Sequence, residues 1–528
     1  MKKLQIIIPM SGSGKRFIDA GYKDPKPLIL VDGKPIISYV ISMFKECKDI
    51  SFICKEEHIA NTKMEQIIKK EFNNGKIFCV QNDLKKGPVG AILEHIEIIN
   101  DDKELIISYC DFFSDFNLKD FLSFARSRNL DGAIVSYTGF HPHMLGNDNY
   151  AYLTLNANDE VVNVNEKIAT KKNKFEEIVS NGIYYFKSGA LFKKYCLQHA
   201  QTGPEINGEL YVSLLYNNLL AAKGNVGYYL TNFMLQWGTP FDLQVYQEWA
   251  NYFKNKTIPQ PKIKLKNYVT IFPMAGHGSR FKERGYHKPK PMLEIDESLM
   301  FLEAVKCLPQ TEKIYFICLS EHIKKFQLQE KIYNSFPSSE VFSVPSTTDG
   351  QARTCQIGID YANLDSNQPI IISACDNGIY FDENKFSDIF NKNDADVIVF
   401  SFRNNPTTKN NPNMYSWLTV DELGFVNKVS TKKFTGSDPM REHAIIGTMI
   451  FKKLKYFTDG FLENIKLNST TNNEFYVDDV IARNIECGLR VRVFEVLNYI
   501  CWGTPDDYET YLYWQNFFNL CTWHPYRK

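Results

Sequence analysis

Residues 6–29 read IIIPMSGSGKRFIDAGYKDPKPLI and residues 270–293 read TIFPMAGHGSRFKERGYHKPKPML, two stretches that align without a gap at an offset of 264. In each, a short β-branched run reaches a proline, opens into a glycine loop and continues as a helical pattern. The match extends far beyond the loop. SYCDFF and SACDNG pair Asp111 with Asp376, and QWGTPFD and CWGTPDD pair Trp237 with Trp502, both at an offset of 265. A slip of one residue over that span marks a tandem duplication, with each copy a domain. Length demands the same division, because 528 residues exceed the roughly 250 to 300 at which single cores stop growing. The boundary is expected in KNKTIPQPKIKLK, residues 254–266, where two prolines interrupt a polar and basic run. Domains of residues 1–255 and 267–528 follow, around a linker of 256–266.

Within each half, runs such as LQIIIP, ISFIC, KIFCV, ELIISY and GAIVSY alternate with helical patterns such as residues 36–44 and 89–99. That alternation predicts two α/β domains, each a mostly parallel mixed sheet flanked by helices. Lys plus Arg and Asp plus Glu number 61 each, so no net charge draws the chain to nucleic acid or an acidic membrane. Any anion must be captured by local geometry. Twelve cysteines without a C-x-x-C pair point to reduced thiols and a cytoplasmic location. The start MKKLQIIIPM carries too short an apolar run for a signal peptide and reads as a first strand. No apolar stretch approaches the roughly 18 residues that cross a bilayer.

The loops Gly12-Ser13-Gly14 and Gly276-His277-Gly278 sit between a strand and a helix, where backbone N–H groups can approach phosphate oxygens. Alone, a G-x-G is an ordinary turn. Each is followed by Pro-Lys-Pro, whose prolines fix φ and present Lys26 and Lys290 in a set direction, as a phosphate-rich ligand requires. Asp111 and Asp376 each follow an apolar strand, the edge at which ligands collect in open α/β sheets, and a carboxylate there suits Mg²⁺ between phosphates. His141-Pro142-His143 has no counterpart in Asn405-Pro406-Thr407 and reads as a surface loop, not a metal pair.

G-x-G-x-R followed by P-K-P resembles the signature of the sugar-nucleotide pyrophosphorylase family, nucleotidyltransferases with a Rossmann-like GT-A fold. The resemblance covers nearly all of both halves, and GYKDPKP with W-G-T-P-x-D is most similar to a subgroup from bacterial capsule loci. It implies that the glycine loops hold a triphosphate, with Arg16 and Arg280 at the leaving pyrophosphate and Lys26 and Lys290 on phosphates. Gly87 and Gly350 would open the element that packs on the nucleobase. Asp111 and Asp376 would hold Mg²⁺, although Gln236 and Cys501 stand where the family has a second metal aspartate. Asp242 and Asp507 are nearby acids, with a helix N-cap as their plainer role. Glu166 and Lys167 would contact the acceptor. The second half keeps Lys432 but has Thr431 in place of the acid, which points to a different acceptor or a weakened site.

The implied reaction is transfer of a nucleotidyl group from CTP, UTP, dTTP or GTP to a sugar 1-phosphate or small phospho-alcohol, serving surface polysaccharide synthesis. A glycosyltransferase on the same fold is the nearest alternative, but Asp111-Phe112-Phe113 and Asp376-Asn377-Gly378 lack an Asp-x-Asp motif. A nucleotide-binding protein with one degenerate half is another. The sequence leaves the oligomeric state open.

Overall fold

The computed structural model describes residues 4–81, 87–257, 263–409 and 411–527, so 258–262 of the expected linker lie outside the described residues. Two compact units emerge. One runs to Ala250 and includes Leu520–His524, and the other comprises Asn251–Asn519 with Pro525–Lys528.

In the first unit the strand Leu4–Met10 lies at the middle of a nine-stranded sheet. It pairs in parallel with Ile50–Lys55 and Glu104–Ser108, placing Ile6 beside Ile50 and Ile106. Ile178–Phe186 then runs antiparallel against Glu104–Ser108, which makes the sheet mixed. The apolar run has a simple cause. Alternate side chains of a strand leave on opposite faces, and here both faces are covered. Ile6, Ile8 and Met10 pack with Ile37 and Val40 on one side. Ile7 packs with Ile53, Val89 and Ile92 on the other. Burying such an aliphatic side chain stabilises by roughly 1.5 to 3 kcal/mol.

The second unit repeats the order. Val269–Met274 lies parallel to Lys313–Leu319 and Ile370–Ser373, and His443–Phe451 runs antiparallel to the latter in a second nine-stranded sheet. Both units are thus Rossmann-like α/β domains. No described helix is long and apolar enough to cross a membrane.

Two expectations change. The helix Ile36–Ser42 forms as anticipated, but residues 89–99 are not continuous: Gly87–Leu93 is helical and Ile96–Ile98 is a separate 3-10 turn. His95, at φ −128°, breaks the helix, and its Nε2 lies 2.9 Å from the Cys79 carbonyl. His141-Pro142-His143 is not a surface loop. His141 is buried, and His143 Nε2 lies 2.9 Å from the Tyr137 hydroxyl, with Tyr150 packed on its ring.

Burial holds the His141 imidazole down at about 4 and the His143 imidazole well below its ordinary value. Both therefore favour the fold at pH above about 6.5, the unfolded value, and the benefit is lost as pH falls towards 4. Each proton taken up on unfolding changes stability by about 1.4 kcal/mol per pH unit. Thermal melting of the full chain from pH 7.5 to 4.5 should show a smaller loss in a His141→Asn, His143→Asn double variant than in wild type. Equal losses would mean that neither histidine titrates in this way.

Candidate functional site

In the first unit the loop after the central strand ends at Gly14, whose φ of 64° caps the short helix Lys15–Asp19 in the left-handed region that glycine adopts without penalty. Gly12 differs: a Cβ there would meet nothing within 4 Å. No protein contact requires a glycine at 12, so the open space is available for a ligand to approach the backbone. Ser13 and Arg16 are exposed beside it. Pro25 leads Lys26 into a 3-10 turn, and the Lys26 ammonium donates to Asp111 Oδ2 at 2.7 Å. Burial disfavours its charge, but Asp111 more than compensates and holds its pKa above the ordinary lysine value.

Asp111 is positioned twice over. Its carbonyl accepts from the Trp237 backbone N–H at 3.0 Å, and the ribbon of Phe112–Ser114 with Met234–Gln236 sets Phe112 opposite Gln236. Trp237 anchors this ribbon, fully buried and edge-on to Tyr39 and Tyr246 at 5.2 and 5.3 Å. Asp242 is not a helix N-cap. Thr239 is, before the helix Pro240–Lys256: its hydroxyl accepts from the Asp242 N–H at 3.1 Å and donates back to the Asp242 carboxylate at 2.5 Å. This is a threonine helix cap with proline at the first helical position. Burial, with Asp111 adding to it and Thr239 and Arg16 opposing, raises the Asp242 carboxyl to about 6.

Glu166 ends the strand Val161–Glu166 and is buried, its Oε2 accepting from the Ser213 hydroxyl at 2.5 Å. Burial raises its pKa, against the pull of Ser213 and Lys167. Lys167 follows at φ 59°, and its ammonium donates to the Tyr211 hydroxyl at 2.6 Å.

The second unit reproduces this frame, which there lines a cleft of about 720 Å³. Gly276, His277, Gly278 and Arg280 line it, as do Lys290, Gly350, Asp376 and Lys432. Every position expected to act in the second half thus faces one cavity, of a size that accommodates a nucleotide. The Lys290 ammonium donates to Asp376 Oδ2 at 2.7 Å, and Trp502 N–H donates to the Asp376 carbonyl at 2.8 Å. Burial works to raise the Asp376 carboxyl, but Lys290 dominates and lowers it. Thr504 caps the following helix through Asp507 as Thr239 does through Asp242.

Gly87 and Gly350 have a packing role. A Cβ on Gly87 would stand 2.9 Å from that of Glu209, and one on Gly350 2.4 Å from the Phe475 carbonyl oxygen. Each lets the start of a helix close onto a neighbouring turn.

A hard cation fits the first site better than the second. A Cβ on Gly238 would stand 2.9 Å from Asp111 Oδ2 and 3.2 Å from Gln236 Nε2, so glycine keeps the edge of that carboxylate open beside an amide. Gly503 does the same at Asp376, but the neighbour there is Cys501. Burial and the nearby carboxylates hold this thiol protonated, which leaves Asp376 as the hard donor. Among the described residues no group of three His, Cys, Asp or Glu side chains is arranged to hold a metal ion.

Sequence reasoning missed Tyr211, Ser213 and Asp478. The 265-residue offset contains the signal: Ser213 corresponds to Asp478, and Asp478 lines the cleft beside Lys432. The second half lacks the acid at Thr431 but carries a carboxylate near Lys432 on the neighbouring helix.

Gly12→Ala should leave the stability within about 0.5 kcal/mol of wild type, since the new methyl meets no protein atom. It should weaken triphosphate binding, read by calorimetry. Unchanged affinity would remove the loop from the phosphate site.

Residues 5–222 match the family model described as Nucleotidyl transferase. The chain is similar to the Bifunctional protein GlmU of Methanococcus vannielii, 23% identical over 271 residues that cover 51% of this chain and 59% of that protein. It is also similar to the Putative UTP--glucose-1-phosphate uridylyltransferase of Methanocaldococcus jannaschii, 26% identical over 246 residues, 42% of this chain and 83% of that one. The chain thus spans 59% of the length of the first relative. Among solved structures, the nucleoside-diphosphate-sugar pyrophosphorylase from Vibrio cholerae superposes with a TM-score of 0.37 at 19% identity, covering 46% of this chain and 99% of that chain. The family match to the nucleotidyl transferase model spans residues 5–222, and with them the glycine loop, the Lys26–Asp111 pair and the Glu166-Lys167 corner.

Proposed function

We propose that each half transfers a nucleotidyl group from a nucleoside triphosphate to a phosphorylated acceptor and releases pyrophosphate. The observation that carries the reading is the cleft of about 720 Å³ in the second unit, where glycine loop, Arg280, Lys290, Asp376 and Lys432 converge. The first unit has the same parts in the same order.

An acceptor phosphate oxygen attacks the α-phosphorus. The bond from that phosphorus to the bridging oxygen breaks, and pyrophosphate leaves with the electron pair. A phosphate monoester with a second pKa near about 6 is already ionised at neutral pH, so no side chain has to remove a proton. The protein's task is alignment and charge neutralisation. Lys26 and Lys290 trade their aspartates for phosphate oxygens, while Arg16 and Arg280 face the leaving group from the exposed loop. Lys167 and Lys432 take the acceptor's phosphate. Asp111 and Asp376 are the residues that would hold Mg²⁺, whose contribution when bound is to neutralise charge on the triphosphate. The uridylyltransferase relative puts UTP with glucose 1-phosphate first among the pairs to try, ahead of CTP, dTTP and GTP and of phospho-alcohols. A cytoplasmic enzyme supplying activated units for a surface polysaccharide is the setting this chemistry suits.

Pyrophosphate release from a panel of triphosphates and phosphorylated acceptors is expected for at least one pair. Release of free nucleoside diphosphate from a sugar nucleotide would instead favour a glycosyltransferase, and binding without release a sensor.

Each half holds a whole set of parts, so wild type should bind two triphosphates per chain. Lys26→Ala and Lys290→Ala should each weaken one site and spare the other. Loss of a charge-assisted contact costs about 1.5 to 3 kcal/mol, or about one to two decades of affinity, which calorimetry resolves. A single site in wild type, or one substitution silencing both, would end the picture of two self-sufficient sites.

A further inference from the structure

Three positions of the acceptor corner change together between the halves. Ala151, Glu166 and Ser213 of the first unit correspond, at one offset of 265, to Ser416, Thr431 and Asp478 of the second. In the first unit two of them touch, Ser213 Oγ donating to Glu166 Oε2 at 2.5 Å. The second unit does not repeat that contact: Thr431 carries a hydroxyl that hydrogen-bonds the Asp479 carboxylate, and the carboxylate at the place of Ser213 is Asp478, on the helix Val477–Glu486.

The third change supplies what the moved carboxylate needs. Ser416, buried where Ala151 was, donates its hydroxyl to the Asp478 carboxylate and accepts from the Lys432 backbone N–H at 3.2 Å. Lys432 keeps the left-handed backbone of Lys167, φ 50° against 59°, and stands 5.5 Å from the ring of Tyr476 as Lys167 stands 4.5 Å from that of Tyr211. The electrostatic setting is preserved as well. Burial raises each carboxyl, and one hydroxyl and one lysine oppose it: Ser213 and Lys167 for Glu166, Lys432 and Ser416 for Asp478. Random loss of the acid would not leave a second acid at the contacting position with a new hydroxyl to hold it.

We propose that Asp478 is the acceptor-facing carboxylate of the second site, taking the place of Glu166 from the opposite wall of the same corner. This rests on the transferase reading above. Asp478 and Lys432 both line the cleft, and their chemistry fits a polyol or sugar phosphate, the lysine on the phosphate and the carboxylate accepting from a hydroxyl. Aspartate is one methylene shorter than glutamate and is presented by a helix instead of a strand. It therefore meets a different hydroxyl, and the two halves select different acceptors.

The test uses the full chain carrying Lys26→Ala at a triphosphate concentration that fills the second site and leaves the weakened first site mostly empty. Asp478→Asn should raise the acceptor KM by about tenfold or more, equivalent to about 1.4 kcal/mol, with triphosphate affinity unchanged. The paired exchange Thr431→Glu, Asp478→Ser, with Ser416→Ala, should shift the acceptor ranking to that of the first site, measured separately in Lys290→Ala protein. An unchanged KM in Asp478→Asn, or triphosphate affinity lost in parallel, would overturn the assignment. If the second site releases no pyrophosphate with any acceptor, the transferase reading of that half fails, and titration with glucose 1-phosphate alone decides the assignment. Weaker binding by Asp478→Asn than by its parent supports it. Equal binding, or none by either protein, overturns it.

Discussion

A lysine set between two prolines reaches an aspartate 85 residues further along in one unit and 86 in the other, and both contacts close at 2.7 Å. The rest of each site is arranged around that pair. An extended proline leads each lysine into a 3-10 turn, the glycine loop lies against it, and the aspartate's carbonyl is pinned by the N–H of a buried tryptophan. The pair joins the phosphate loop to the far side of the central strand. Before ligand arrives it neutralises two charges that water only partly reaches. In the reaction proposed above, a phosphate would take the lysine and a cation the aspartate, so each would free the other's partner.

Much of this was legible in the sequence because it is local. A strand, a glycine turn and a framed lysine fall within some twenty residues, and duplication printed the combination twice. Asp111 and Asp376 were legible for the same reason. What escaped depends on pairs distant in the chain. The contact between Glu166 and Ser213 spans 47 residues, so a change of acid at Thr431 could not be tied to Asp478 until the fold put Asp478 beside Ser416 and Lys432. The burial of His141 and His143 under Tyr137 and Tyr150 is likewise a tertiary fact that an H-P-H string cannot announce. At residues 89–99 apolar periodicity outlasted the helix, because a contact between His95 and Cys79 takes precedence over local propensity.

The halves have diverged unevenly. The lysine–aspartate pair, the anchoring tryptophan and the threonine helix cap are retained in both geometry and partner. The residue beside the aspartate has changed from Gln236 to Cys501, and Ala151, Glu166 and Ser213 have become Ser416, Thr431 and Asp478. Change has therefore gathered beside the lysine–aspartate frame and spared the frame itself.

The backbone of the acceptor lysines sets local stability against use. Lys167 and Lys432 sit at φ 59° and 50°, where a side chain costs roughly 1 kcal/mol or more relative to glycine. Glycine at either place would relax the chain and strengthen the fold while deleting the ammonium group. A selection for heat resistance alone would thus favour losing the two ammonium groups that the proposed reaction uses on its acceptor. Directed evolution of this chain has to screen for turnover and thermal tolerance together, or these two sites will be among the first it forfeits.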